Sequence, residues 1–280
     1  MALRLGISPC PNDTYIFAAL VEGRVPLGRG LGPLETHFAD VEELNSLARE
    51  GALDVTKLSA AAVADVLDEY VVLRSGGALG RGCGPLLVAS RPLAPQDLRD
   101  ATIAVPGLRT TANTLLSLHG AFNGPRRELV FDRIMPAVRR GDCAAGVIIH
   151  ESRFTYADHG LHLVLDLGKW WEETTGAPIP LGVIAARRSL GEDTLRRVTG
   201  CIRASLESAD ADPAASRPFI RSHAQEMDGS VLGRHIETFV NEFSLDLGDE
   251  GCFAVERLVR KAAELRGVTP PDSPMFAPRP

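Results

Sequence analysis

The sequence predicts an α/β protein of two lobes, and three observations point that way. Strand-like and helix-like patterns alternate in two separate βαβα series, over residues 3–67 and 102–150. Two extended segments, 85–90 and 181–187, suit crossings from one lobe to the other, and nearly everything over 192–266 reads as helix. Lobe one is expected over residues 1–85 and 185–280, and lobe two over 86–184. A chain of 280 residues is long enough to bury a core in each.

The first series opens with Leu3-Arg4-Leu5-Gly6-Ile7, which alternates like a strand and turns through Ser8-Pro9-Cys10-Pro11-Asn12-Asp13 into a helix over 14–20. Two prolines fix the turn, and Asn12 or Asp13 is the expected helix cap. Backbone amides at such a helix start can bind an anion, with Asp13 competing for the same positive end. A second strand over 34–39 leads to Asp40, which caps a helix over 41–48 that Gly51 ends. Asp54-Val55-Thr56-Lys57-Leu58-Ser59 is a third strand, and its final hydroxyl lies at the mouth of a small-residue helix over 60–67. Ser59 is there either as a ligand contact or as an ordinary cap.

Tyr70-Val71-Val72-Leu73-Arg74 is strand-like and runs into a glycine-rich loop before Leu86-Leu87-Val88-Ala89. So many glycines permit left-handed turns and close approach to something bound, or simply a flexible hairpin. The loop lacks the Gly-Lys-Ser/Thr ending of a P-loop, whereas Arg81 has the planar fork that suits a carboxylate.

The second series starts at Thr102-Ile103-Ala104-Val105 and turns tightly at Pro106-Gly107. Thr110-Thr111-Ala112-Asn113 then opens a helix over 114–119, offering hydroxyls and free amides together. A strand over 128–131 and a helix over 135–140 follow. The apolar run Ala144-Ala145-Gly146-Val147-Ile148-Ile149 reads as a buried parallel strand that gives out at His150, where open α/β sheets keep their chemistry. Glu151 and Ser152 suit a helix start; a satisfied turn histidine is the plain alternative for His150.

Beyond it, a strand over 162–166 precedes a short helix closed by Gly176, which carries Trp170 and Trp171. Either tryptophan packs its lobe or covers an aromatic ligand. Breaks at Ala211-Asp212-Pro213 and Met227-Asp228-Gly229 interrupt the last helices, which show no chemical signature, and Pro270, Pro271 and Pro274 mark a loose tail.

A net charge of −6 without any long Lys/Arg run gives no electrostatic footprint for nucleic acid or an anionic membrane, so a small molecule is the expected partner. Five cysteines, odd in number, widely spaced and without a C-x-x-C pair, suggest neither a disulfide framework nor a zinc site. The first ten residues pass straight into a strand pattern and no stretch approaches transmembrane length, so a cytoplasmic protein is expected.

Two βαβα series with two crossings and helices last resemble the periplasmic-binding-protein-like (type II) fold, with a ligand cleft between the lobes. Four stretches are more specific. Ser8-Pro9-Cys10-Pro11-Asn12-Asp13-Thr14, Leu79-Gly80-Arg81-Gly82-Cys83-Gly84-Pro85-Leu86, Ile149-His150-Glu151-Ser152-Arg153-Phe154-Thr155-Tyr156 and Asp166-Leu167-Gly168-Lys169-Trp170-Trp171-Glu172 resemble the 1,4-dihydroxy-6-naphthoate synthases of the futalosine route to menaquinone. The resemblance covers residues 3–188 and thins out beyond them.

It implies a carbon–carbon lyase that converts cyclic dehypoxanthinylfutalosine to 1,4-dihydroxy-6-naphthoate and a three-carbon fragment, without metal or organic cofactor. It also implies that His150 is the proton acceptor and that Lys57, Leu58, Ser59, Thr111 and Ala112 contact the substrate. Asn12, Asp13, Arg81 and Trp170 are further candidates for the cleft. Aromatisation drives such a reaction, so one base and a few hydrogen-bond donors suffice. Three other readings share the fold: a solute receptor, which needs an export signal; chorismate dehydratase, another lyase of that pathway; and a non-catalytic sensing domain.

Overall fold

Two sheets, each with its own core, form over the residues that the computed structural model describes, 2–28, 31–224 and 228–279. The first unit is Met1–Leu79 with Pro180–Pro280, and the second is Gly80–Ile179.

In chain order the first unit begins with β1 (Leu3–Ile7), α1 (Pro11–Val21), β2 (Leu34–Phe38), α2 (Val41–Arg49), β3 (Val55–Ser59), a 3-10 turn at Ala60–Asp65, β4 (Tyr70–Val72) and β5 (Ala78–Gly80). The second unit holds β6 (Leu86–Ala89), β7 (Ile103–Val105), α3 (Thr111–His119), β8 (Arg126–Glu128), α4 (Phe131–Arg140), β9 (Ala145–Ile148), α5 (Ser152–Thr155), β10 (His162–Asp166) and α6 (Leu167–Thr175). The chain then returns to the first unit through β11 (Ile179–Arg187), α7 (Glu192–Ala211), α8 (Pro213–His223), α9 (Gly229–Phe239), α10 (Glu242–Leu245) and α11 (Gly248–Arg266).

The first sheet has the order β2-β1-β3-β11-β4, with β5 also on β11. β1 runs parallel to β2 and β3, whereas β11 is antiparallel to β3 and β4. All five residues of β3 are buried, as befits a strand covered on both faces. One face packs Ile16, Phe17 and Leu20 of α1 with Leu195, Val198, Ile202 and Leu206 of α7. On the other, a Cβ at Gly6 would stand 2.9 Å or less from Leu44, Leu53 and Thr56, so glycine lets α2 and its neighbours close on β1. The second sheet has the order β10-β6-β9-β7-β8; β7 runs parallel to both its neighbours β8 and β9, and β6 is antiparallel to both of its neighbours, β9 and β10. Ile134 and Val138 of α4 pack over β9 at Gly146, where any Cβ would collide with them.

Several local expectations are corrected. α1 starts at Pro11 after Cys10 without a side-chain cap, because Asn12 and Asp13 point their polar groups elsewhere. The segment after Ser59 is a 3-10 turn, and the Ser59 side chain makes no cap. α3 begins at Thr111, with Thr110 as its cap, and α4 reaches back to Phe131 despite Pro136 inside it. α5 is a single turn in which Glu151 makes no side-chain cap bond. The tail is tied down: Val72 donates its N–H to the Met275 carbonyl and accepts from the Ala277 N–H, on either side of Phe276, Arg74 donates to the Ala277 carbonyl, and Ala277 is buried. Asp228 caps α9, while Met227 lies outside the described residues.

Candidate functional site

In the first unit, polar side chains gather at the carboxyl ends of β1 and β3. Asp13 stands in the first turn of α1, immediately beyond β1, and is fully buried. Its Oδ1 lies 2.6 Å from Lys57 Nζ and accepts from Asn12 Nδ2 at 2.9 Å. Its Oδ2 accepts from the Ser8 hydroxyl at 2.7 Å and from the Ser8 backbone N–H at 3.3 Å. Four donors and the positive end of α1 therefore stabilise one buried carboxylate.

Ser59, also buried, is held from α2: its N–H donates to Asn45 Oδ1 at 3.0 Å, and Asn45 Nδ2 donates to its Oγ at 3.3 Å. Asn45 Nδ2 also donates to Glu42 Oε2 at 2.8 Å. Asn12 Oδ1 stands 3.0 Å from Nε2 of the buried His235 in α9. Since Asn12 gives its amide hydrogen to Asp13 and keeps its oxygen as acceptor, this places a proton on His235 Nε2.

In the second unit, the turns after β7, β8 and β9 emerge at one edge of the sheet, because the three strands are parallel neighbours. They carry Thr111 and Ala112, Phe131, and His150 respectively. Thr111 and Ala112 are buried in the first turn of α3. Thr110 is consumed locally, accepting from Asn113 N–H at 3.2 Å and donating to the Gly107 carbonyl at 2.7 Å. His150 is half-buried, its ring edge-on to Phe131 with centroids 5.0 Å apart. Its φ is +55°, and it is the non-glycine residue with positive φ among those described. Histidine enters this left-handed region more readily than most residues, but the conformation still costs about 1–3 kcal/mol, and such strain gathers at functional sites.

Arg153, three residues on, donates to the carbonyls of Gly82 and Gly84 and lies 3.6 Å from Asp166. The Gly82 N–H donates to Glu172 Oε1 at 2.7 Å. The glycine-rich loop is thus fastened to the segment that bears His150 and to α6. Within it the Cys83 thiol is buried, which pushes its pKa up to about 12 and makes it inert near neutral pH.

The other candidates lie apart from this edge. Arg81 is exposed and donates to the Gly176 carbonyl at 3.1 Å. Trp170 is edge-on to His119 at 5.1 Å, at the far end of α3 and roughly 12 Å along the helix axis from Thr111. Burial lowers the pKa of His119 there. Trp171 is a core residue whose Nε1 donates to the Pro178 carbonyl.

Sequence reasoning missed Ser8, Asn45 and His235. For Asn45 a signal existed, a polar residue on the face of α2 that also buries Leu44 and Ala48. Among the described residues no disulfide forms, no group of three or more His, Cys, Asp or Glu could hold a metal ion, and no helix is long and apolar enough to cross a membrane.

Two sheets of this order, with polar residues collected at the carboxyl ends of their parallel strands, define an α/β protein of the periplasmic-binding-protein-like class. The ligand-binding component of an ABC-type import system from Staphylococcus aureus shares the fold, with a TM-score of 0.70 over 100% of this chain and 97% of that one, at 12% identity. More narrowly, the chain belongs to the menaquinone biosynthesis family, which matches residues 3–264. It is 54% identical to the 1,4-dihydroxy-6-naphtoate synthase of Thermus thermophilus over 98% of this chain and 99% of that protein. It is 49% identical to the synthase of the same name from Streptomyces coelicolor over 98% of each. Protein AF1704 from Archaeoglobus fulgidus superposes with a TM-score of 0.87 at 33% identity, covering 95% of this chain and 98% of that one.

Proposed function

We propose that the protein is a carbon–carbon lyase that converts cyclic dehypoxanthinylfutalosine to 1,4-dihydroxy-6-naphthoate and a three-carbon fragment, with His150 as general base. Lys57, Leu58, Ser59, Thr111 and Ala112 are the substrate contacts in this reading, and the protein works in the cytoplasm on a small molecule, without metal or organic cofactor. The observation that carries it is the setting of His150: a half-buried imidazole in a strained left-handed conformation, just past the carboxyl end of β9. Near-full-length identity to two synthases supports the choice of substrate.

The chemistry asks for little more. Ring aromatisation supplies driving force, so the protein needs a base to take a proton and donors for the oxygen that gains charge. The Ser59 hydroxyl and the Thr111 hydroxyl and amide are donors of the right kind, and the Asn45 clasp keeps the first from rotating freely. Phe131 against His150 limits how the ring can turn.

Incubating the purified protein with cyclic dehypoxanthinylfutalosine and following naphthoate by absorbance and mass tests the reading. Release of naphthoate at enzymatic rates is expected. Tight binding without turnover would instead favour a solute-binding or sensing role, and turnover of chorismate would favour the dehydratase.

A further inference from the structure

We propose that Asp13 is a positioning residue for Lys57, holding its ammonium at the carboxyl end of β3 so that the remaining N–H donors take the carboxylate of the substrate. This rests on the naphthoate-forming reaction proposed above. The Lys57 and Asp13 side chains are 6% and 1% exposed, and their charged atoms are 2.6 Å apart. An ammonium has three donors, yet among the described residues Asp13 is its one hydrogen-bond partner. Two N–H groups are left in surroundings almost closed to water, where an unfilled donor is costly and an arriving anion restores what is missing.

The direction of the side chain follows from register. The Cα of Lys57 pairs with Ile184, and that of Ser59 pairs with Gly182. A Cβ on Gly182 would nevertheless stand 2.6 Å from Lys57 Cε and 3.5 Å from Nζ. The lysine therefore runs two residues along the sheet, over Gly182, and brings its ammonium to the level of Ser59. Glycine at 182 leaves the space in which it lies.

Asp13 does more than neutralise. With Ser8 on Oδ2 and Asn12 on Oδ1, and Asn12 in turn braced against His235, the carboxylate has one orientation and its charge is shared among neutral donors. The ammonium thus keeps its attraction for a second anion. A single compact cation with neutral donors beside it matches a monoanion such as a carboxylate, and the carboxylate is the fixed anion of a naphthoate.

The test compares two ligands, 1,4-dihydroxy-6-naphthoate and naphthalene-1,4-diol, which lacks the carboxylate. Each is titrated calorimetrically into wild type, Asp13→Asn and Gly182→Ala, the last moving the lysine stem without altering any charge. Both substitutions should weaken naphthoate binding by about tenfold or more and diol binding by less than about twofold. KM should rise with the loss of naphthoate affinity, while kcat stays within about threefold. Equal losses for the two ligands, or no loss for either, would overturn the proposal, and Gly182→Ala decides it if Asp13→Asn fails to fold. Wild-type turnover is followed alongside. If no naphthoate is made, the reaction is wrong; if it is made but both ligands bind wild type equally, the carboxylate assignment alone is wrong.

Discussion

Asn45 grips Ser59 at two atoms, accepting its backbone N–H at 3.0 Å and donating to its hydroxyl at 3.3 Å. A helix side chain thereby fixes both the end of a strand and the rotamer of the serine that ends it. Replacing Asn45 with Ala leaves the buried Ser59 N–H without an acceptor, at a cost of about 1–3 kcal/mol. Thermal unfolding should show the loss and KM should rise with it. Ser59→Ala should lower affinity and rate together while costing less stability, because the backbone bond to Asn45 remains. Identical melting curves for wild type and Asn45→Ala would speak against the clasp.

The left-handed backbone at His150 separates stability from activity. His150→Gly relieves the φ of +55° and should raise the melting temperature, yet remove most turnover. Asn tolerates this conformation as well, so His150→Asn should melt near wild type, still bind substrate, and lose about 10²–10⁴-fold in kcat. A variant that keeps wild-type kcat would move attention to Glu151.

Gly84 and Gly168 touch backbone to backbone: a Cβ at Gly84 would collide with the Gly168 Cα and stand 2.7 Å from its nitrogen. Neither partner is the movable end of a side chain. Gly84→Ala should therefore cost about 1–3 kcal/mol and loosen the loop that Arg153 fastens. Urea unfolding measures the first effect, and faster proteolytic cleavage near Arg81 would report the second.

Arg4 and Asp54 give stability a pH dependence. Burial raises the Asp54 pKa, but the side-chain and backbone hydrogen bonds from Arg4 and the charges of Arg4 and Arg187 outweigh it, so the carboxyl titrates below its ordinary value. A lowered folded pKa means that the unfolded chain binds more protons, so this contribution is present above the unfolded value of about 3.9 and is lost as pH falls through the folded one. Arg4→Met should destabilise at pH 7 and approach wild type in stability at an acid pH that has fallen through the lowered folded value. Equal differences at both pH values, measured by urea unfolding, would count against the pair.

The strand-end placement of His150 was legible because the apolar run before it reads as a buried strand, while Ser59 and Thr111 were placed by the strand-then-helix order of their segments. Ser8, Asn45 and His235 were not. A single polar residue in a helix or turn has no period to betray it, and the bond from His235 to Asn12 spans 223 positions that no local spacing encodes. The last segment misled for another reason. Its prolines mark an irregular backbone, but irregular is not loose, and the bonds that pin Ala277 come from β4, some two hundred residues earlier in the chain.

The place of β11 bears on how the polypeptide is made. It lies between β3 and β4 in the first sheet, yet it is synthesised after the whole of the second unit. On the ribosome, β1, β2 and β3 can assemble early, but β4 waits without a neighbouring strand until residue 187 has emerged. The second unit is one uninterrupted run and can complete its sheet meanwhile. The unit translated second can then complete its sheet before the first unit completes its own, and the waiting edge of β3 is what chaperones would have to shield.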